Sequence, residues 1–261
     1  MIDSKSYGPW AIIAGASEGI GVSFAHQLAK AGINLVLIAR QKRLLEQLAR
    51  EVSTESSVQV RVLPLDLTGP NVLDRVREVT DDIEVGLVVF NAAASLGMGS
   101  FLEASLDDVV QGIRLGPMGR TMLAHHFGNR MVARRRGGII LVGSLAGNAG
   151  AATVVFYSAA KAFDQVFAEG LWSELKPLGV DVLYAVLGAT RTPARERVAL
   201  KDSPDQFVAE PDDVARDCLD NIANGPVLVP HHLADAFQHF CSLPRKQAAQ
   251  TMTDLLLSFQ K

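Results

Sequence analysis

Cysteine is nearly absent: Cys218 and Cys241 are the only two in 261 residues. Two thiols in apolar, helix-like surroundings build no disulfide framework and pack as small hydrophobes. A basic excess is also missing. Lys and Arg number 25 against 28 Asp and Glu, a net charge of −3, so the electrostatic footprint of a nucleic-acid binder is lacking. The short run Arg134–Arg135–Arg136 reads as a solvated helix end beside the macrodipole's negative pole. The N-terminal MIDSKSYGPW has no apolar region of the signal-peptide kind. The long uncharged stretch from Gly137 to Ala160 carries five glycines and reads as strand, loop and helix start. A membrane span needs about 20 mostly apolar residues. These absences set the expectation of a cytoplasmic protein with no membrane and no nucleic-acid partner.

Metal-site spacing is missing too. His125–His126 and His231–His232 are adjacent pairs, which do not share a helix face, and no Cys or carboxylate stands at zinc spacing. Gly143-Ser144-Leu145-Ala146-Gly147 lacks the G-x-S-x-G spacing of a hydrolase elbow. The acidic pairs Asp81–Asp82, Asp107–Asp108 and Asp212–Asp213 are read as helix-end residues placed by the macrodipole. With no Pro/Ser-rich linker and no repeat, residues 1–261 are read as one domain.

What is present is alternation. Hydrophobic residues make up 48% of the chain, arranged as short β-branched runs separated by amphipathic stretches, the sign of βαβ units and a parallel sheet. Strands are expected at 10–14, 34–39, 58–63, 86–90, 139–142, 180–187 and 227–229. Helices are expected at about 20–31, 42–53, 71–80, 105–133, 156–176 and 212–224. The irregular, charged segment at about 189–210 is expected to be a lid.

Gly15-Ala16-Ser17-Glu18-Gly19-Ile20-Gly21 joins the first strand to the first helix. Gly15 permits the tight turn, Gly19 lets the backbone approach a phosphate, and Gly21 permits close helix packing. The helix N-terminus then offers free N–H groups to a pyrophosphate. At the end of the second strand, where a carboxylate would bond the ribose of NAD, stands Ile38-Ala39-Arg40. Arg40 can bond a 2′-phosphate through its guanidinium fork. NADP(H) is therefore expected, with NAD(H) the lesser choice. Glu18 occupies a place where a second basic residue could have helped.

Tyr157 and Lys161 stand four apart on one face of a helix. An ammonium near a phenol favours the phenolate and is expected to pull the Tyr157 pKa down. Ser144 follows the fifth strand, on the side where open α/β sheets bind ligands, and could hold a carbonyl oxygen beside the Tyr157 hydroxyl.

With these residues in this order, the chain resembles the short-chain dehydrogenase/reductase family from Trp10 to about Val229. The glycine turn is similar to that family's cofactor turn. Asp66 matches its adenine-contacting aspartate, with Leu67 beside it, and Asn91-Ala92-Ala93 resembles its N-A-G motif. Ser144 stands thirteen residues before Tyr157, the family spacing. Gly188 and Thr192 fall in a segment like its P-G-x-x-x-T. The resemblance implies seven parallel strands with helices on both faces and a homodimer or homotetramer. It implies catalysis by Ser144, Tyr157 and Lys161. It also implies cofactor contacts from Gly15, Ser17, Glu18, Gly19, Ile20, Gly21, Arg40, Asp66, Leu67, Asn91, Tyr157, Lys161, Gly188 and Thr192.

Three positions depart from the family: Ala93 for glycine, Leu187 for proline, and Arg114 where the family carries an asparagine that holds a proton-relay water. Pro117 lacks an N–H and clashes with the carbonyl of Ile113, so that carbonyl is expected to hold the water instead, with Arg114 turned away. The expected activity is hydride transfer between NADP(H) and a carbonyl or secondary alcohol. The substrate is expected to be apolar, because Leu96, Met98, Leu145, Val154 and Val155 fall in the loops near the site. The alternative is an NADP-binding sensor without turnover, suggested by Arg114.

Overall fold

The computed structural model describes residues 2–92, 99–197 and 208–259. The chain opens with a short helix, α1 (Ser4–Tyr7), then β1 (Trp10–Ala14), α2 (Ile20–Lys30), β2 (Asn34–Ala39), α3 (Lys42–Glu55), β3 (Val60–Pro64), α4 (Val72–Glu78) and β4 (Val85–Phe90). It continues through α5 (Leu106–Ile113), a π-helical turn at Arg114–Met118, α6 (Gly119–Ala133), β5 (Gly138–Val142), α7 (Val155–Leu175) and β6 (Asp181–Ala185). The last part holds β7 (Ala189–Thr190), α8 (Pro193–Arg197), β8 (Val208–Ala209), α9 (Pro211–Asn221), β9 (Val227–Leu228), α10 (Ala234–Ser242) and α11 (Arg245–Ser258). The main sheet has seven strands in the order β3-β2-β1-β4-β5-β6-β9, and each neighbouring pair is parallel.

This is a single-domain, Rossmann-like α/β fold. Alternate strand residues feed opposite faces. Ala11, Ile13, Leu35 and Leu37 pack with Phe24 and Leu28 of α2, Leu45 of α3 and Leu219 of α9. Ile12, Val36 and Ile38 pack with Val76 of α4, Phe127 of α6 and Ala168 of α7. Strands buried on both faces explain the unbroken apolar runs in the sequence. Strand order reverses between β1 and β4, so their carboxyl ends flank the crevice where such sheets take ligands.

Four expectations need correction. The helix expected at 105–133 is broken by the π turn, because Pro117 inside it has no N–H to give. The chain does not alternate to its end: two helices, α10 and α11, follow β9 and pack Phe240, Ala248 and Met252 against Ala149 and Ala151. Asp81 and Asp82 follow the C-terminus of α4, the wrong pole for an acid, and are held instead by Arg130 and Arg61. The arginine run is not merely solvated, since Arg134 donates to the Val85 carbonyl and Arg136 pairs with Glu84. Of the proposed lid, 198–207 lies outside the described residues; β7 and β8 pair at its two ends.

Candidate active site

The glycine turn leaves β1 and enters α2 under tight constraint. Gly15 has φ +93°, and a Cβ there would lie 2.5 Å from the Ala92 nitrogen. A Cβ on Gly21 would lie 2.1 Å from the Gly15 carbonyl oxygen. No side chain fits either place, so the backbone itself forms the cradle. Asn91, at the end of β4, donates from Nδ2 to the Gly15 carbonyl at 2.8 Å and fixes the turn from below. Ser17, Glu18 and Ile20 lie along it. Across the crevice, Thr192 reaches the turn: its Cγ2 would stand 2.7 Å from a Cβ on Gly19. Gly188 sits just after β6, on the same side.

The adjoining strand ends carry the polar groups. Arg40, after β2, is exposed. Asp66, after β3, accepts from the Thr68 N–H at 2.9 Å and the Thr68 hydroxyl at 2.8 Å. Those bonds hold its carboxyl below the usual range, with the Arg40 charge adding to the effect. Leu67 follows, half-buried. A glycine cradle at a helix N-terminus, flanked by a free-standing arginine fork, is a donor set suited to a phosphorylated dinucleotide. Ala93, Leu96 and Met98 lie outside the described residues.

Ser144, Tyr157 and Lys161 come together where β5 ends and α7 begins. The Ser144 hydroxyl is hydrogen-bonded with that of Tyr157 and also caps the Ala146 N–H at 3.2 Å. Lys161 is 3% exposed; its Nζ donates to the Val142 carbonyl at 2.6 Å and lies 5.8 Å from the Tyr157 ring centre. Burial pushes the Tyr157 pKa up, while Ser144 and Arg120 oppose that rise. The expectation that Lys161 pulls it down is therefore corrected: the opposing cation is Arg120. Burial, with Arg120 next, lowers Lys161 itself to about 8.

Three functional neighbours escaped the sequence reading. Tyr184, on β6, lies 3.2 Å from the carbonyl oxygens of both Ser144 and Lys161 and accepts the Ser144 N–H at 3.1 Å. It braces two of the three site residues at once. Its ring fills the space beside Gly143, where a Cβ would fall 2.2 Å from Cζ, so the residue before Ser144 has to be glycine. The other two are Arg120 of α6 and Asp164 of α7, 3% and 0% exposed, with Nε and Oδ1 3.1 Å apart. One signal was available for Asp164: it stands three residues after Lys161, on the same helix face.

Arg114 is exposed, as expected. The group that faces the interior from the π turn is the carbonyl of Leu115, which accepts from Arg120 Nη1 at 3.3 Å. That guanidinium also donates to the Ala92 carbonyl at 2.8 Å.

Residues 9–203 match the family model described as short chain dehydrogenase. The chain belongs to the short-chain dehydrogenase/reductase family. It is 33% identical over 221 residues to the 7beta-hydroxysteroid dehydrogenase of Clostridium sardiniense, covering 84% of each chain. It is 32% identical to the very-long-chain 3-oxoacyl-CoA reductase of Podospora anserina, over 77% of this chain and 61% of that one. Among solved structures, a short-chain dehydrogenase from Sphingobium yanoikuyae in complex with NADPH superposes with a TM-score of 0.80 at 32% identity, covering 88% of this chain and 91% of that one. A 7beta-hydroxysteroid dehydrogenase studied for its stereoselectivity superposes at 0.90 over 97% of this chain and 99% of the other, at 23% identity, a likeness of fold. As a family member the chain is an oxidoreductase acting between CH–OH and C=O groups.

Proposed function

We propose that this oxidoreductase prefers NADP(H) and reduces an apolar ketone, or oxidises the matching secondary alcohol, with Tyr157 as general acid and base. The observation that carries the reading is the convergence of Ser144, Tyr157 and buried Lys161 at the carboxyl ends of the strands, beside the glycine cradle. The bound nicotinamide supplies or accepts the hydride. Gly15, Ser17, Glu18, Gly19, Ile20 and Gly21 would hold the pyrophosphate. Asp66 and Leu67 would face the adenine side, and Asn91, Gly188 and Thr192 the nicotinamide side. Arg40 would take the 2′-phosphate.

In the reducing direction the Ser144 hydroxyl donates to the substrate oxygen and holds it by Tyr157. The Tyr157 O–H bond breaks and its proton passes to that oxygen as the alcohol forms. Arg120 is the cation that balances the charge of the resulting phenolate, while Lys161 is held by the Val142 carbonyl. Against a sensor without turnover stands the presence of Ser144, Tyr157 and Lys161 together; Arg114 itself is exposed. Apolar Leu145, Val154 and Val155 belong to the segment between Ser144 and Tyr157, and the relatives' named substrates, a hydroxysteroid and a long-chain 3-oxoacyl thioester, are both largely hydrocarbon.

The test is a steady-state assay with NADPH and NADH against ring ketones, steroid ketones and 3-oxoacyl thioesters, with Tyr157→Phe as control. Turnover is expected with at least one apolar ketone, better with NADPH, and lost in Tyr157→Phe. Activity indifferent to Tyr157→Phe would refute the mechanism.

A further inference from the structure

Beneath the site lies a charge cluster that the hydride-transfer reading does not use. Arg120 and Asp164 are 3% and 0% exposed, and Lys161 beside them is 3% exposed. Lys161 Nζ lies 3.7 Å from Asp164 Oδ2, and Arg120 Nε lies 3.1 Å from Oδ1. Neither contact has hydrogen-bond geometry: both Asp164 oxygens and Arg120 Nε lack a hydrogen-bond partner. A buried carboxylate without hydrogen bonds is costly and persists only where charge requires it. The helices that carry the pair are thereby drawn together, and the remaining Arg120 donors clamp the carbonyls of Ala92 and Leu115.

We infer that Arg120 and Asp164 are positioning residues for the Tyr157 reaction: the pair holds Lys161 in place and sets the net charge against which the Tyr157 proton comes and goes. The inference rests on Tyr157 being the acid and base. With Arg120 and Lys161 protonated and Asp164 ionised the cluster carries one positive charge, against burial, which drives each of the three towards its neutral form. Removing the Tyr157 proton neutralises the cluster, so its positive charge opposes the rise that burial imposes on Tyr157. The groups facing Tyr157 are Ser144 at the end of β5, Lys161 and Asp164 on α7, Arg120 on α6 and Tyr184 on β6. Of these, Tyr184 stays neutral, because burial raises it further above its ordinary value, and Ser144 does not titrate. The charge balance thus belongs to Arg120, Lys161 and Asp164.

Charge bookkeeping makes the test specific. Arg120→Met leaves a neutral cluster and should raise the apparent pKa for alcohol oxidation by about one unit or more. Asp164→Asn adds a positive charge and should lower it. The double variant Arg120→Met/Asp164→Leu restores a single cation, Lys161, and should return towards the parent value. That variant removes the Arg120–Asp164 pair together and leaves Lys161 held by the Val142 carbonyl, so it remains informative if a single variant fails to fold. Arg120→Lys should recover most of the parent profile. Cofactor KM should change less than about twofold in Asp164→Asn, which makes no contact with the glycine cradle.

A second readout is the tyrosinate absorbance titration of each folded variant against its Tyr157→Phe counterpart, which needs no turnover. It should shift in the same directions. Profiles that coincide with the parent, or single variants that shift the same way, would overturn the inference. If Tyr157→Phe remains fully active, the mechanistic reading fails instead, while the absorbance titration still decides whether the pair controls Tyr157.

Discussion

Lys161 donates to the carbonyl of Val142 at 2.6 Å, from a helix to the last residue of the strand that leads into Ser144. The ammonium is therefore held by backbone, with Asp164 its only nearby carboxylate among the described residues. Its burial is a cost to folding. The pKa falls from 10.5 to about 8, so the unfolded chain binds a proton more tightly than the folded one. By linkage the penalty is full below pH 8 and is relieved as the pH rises towards 10.5.

Lys161→Met should therefore stabilise the chain while destroying activity. The gain in Tm should be a few degrees at pH 7, on the scale of about 2–4 °C per kcal/mol for a chain of this size, and should shrink by pH 10. Calorimetry at the two pH values checks it. A loss of stability at pH 7 would mean that the Val142 bond outweighs the desolvation.

Gly21 presses its α-carbon against the Gly15 carbonyl, leaving 2.1 Å for any Cβ. Gly21→Ala should push α2 away from the turn. We expect a loss of about 2 kcal/mol or more, in the range for overpacking a tight site, and NADPH affinity reduced at least about tenfold, the equivalent of 1.4 kcal/mol. Denaturant melts and fluorescence titration separate the two effects. An unchanged NADPH Kd would remove the turn from the cofactor site.

Much of this architecture was open to reading from residues alone. Fully buried strands show as uninterrupted apolar runs, so Ile12–Ala14, Leu35–Ile38 and Leu87–Phe90 declared themselves, and Tyr157 and Lys161 share a face by simple helical arithmetic. The failures have physical causes. Pro117 disturbs its own helix, but whether the helix ends, kinks or widens to a π turn depends on what packs around it. Arg120 and Asp164 sit 44 residues apart; each alone reads as a surface charge, and only the meeting of α6 with α7 turns them into a buried pair. Tyr184 looked like a plain strand residue, because its role depends on Gly143, just past the end of the neighbouring strand.

Arg40 stands exposed at the end of β2, with Asp66 on the next strand end. A 2′-phosphate would accept its fork, whereas NADH offers only hydroxyls. Arg40→Ala should raise the Kd for NADPH by about tenfold, as the loss of one charge-assisted pair would, and leave NADH nearly unchanged. The NADPH preference should also weaken as salt rises. Titrations at low and high salt check both points, and equal effects on the two cofactors would defeat the assignment.

We propose that the chain self-associates through exposed hydrophobic side chains of α5 and α7. Leu102 is 91% exposed, Leu106 on α5 76% and Val166 on α7 68%. The two helices touch, since a Cβ on Gly112 of α5 would meet the Phe156 ring of α7 at 2.4 Å. They present these residues on elements that also carry the site, so association would stiffen the helix bearing Tyr157 and Lys161. Light scattering should show the parent chain at two or four times the one-chain mass. Leu106→Glu with Val166→Glu places carboxylates in the patch and should shift it to one. Far-UV circular dichroism should stay the same, while Tm falls and becomes independent of protein concentration. A parent chain that is monomeric at micromolar concentration would remove this surface from consideration.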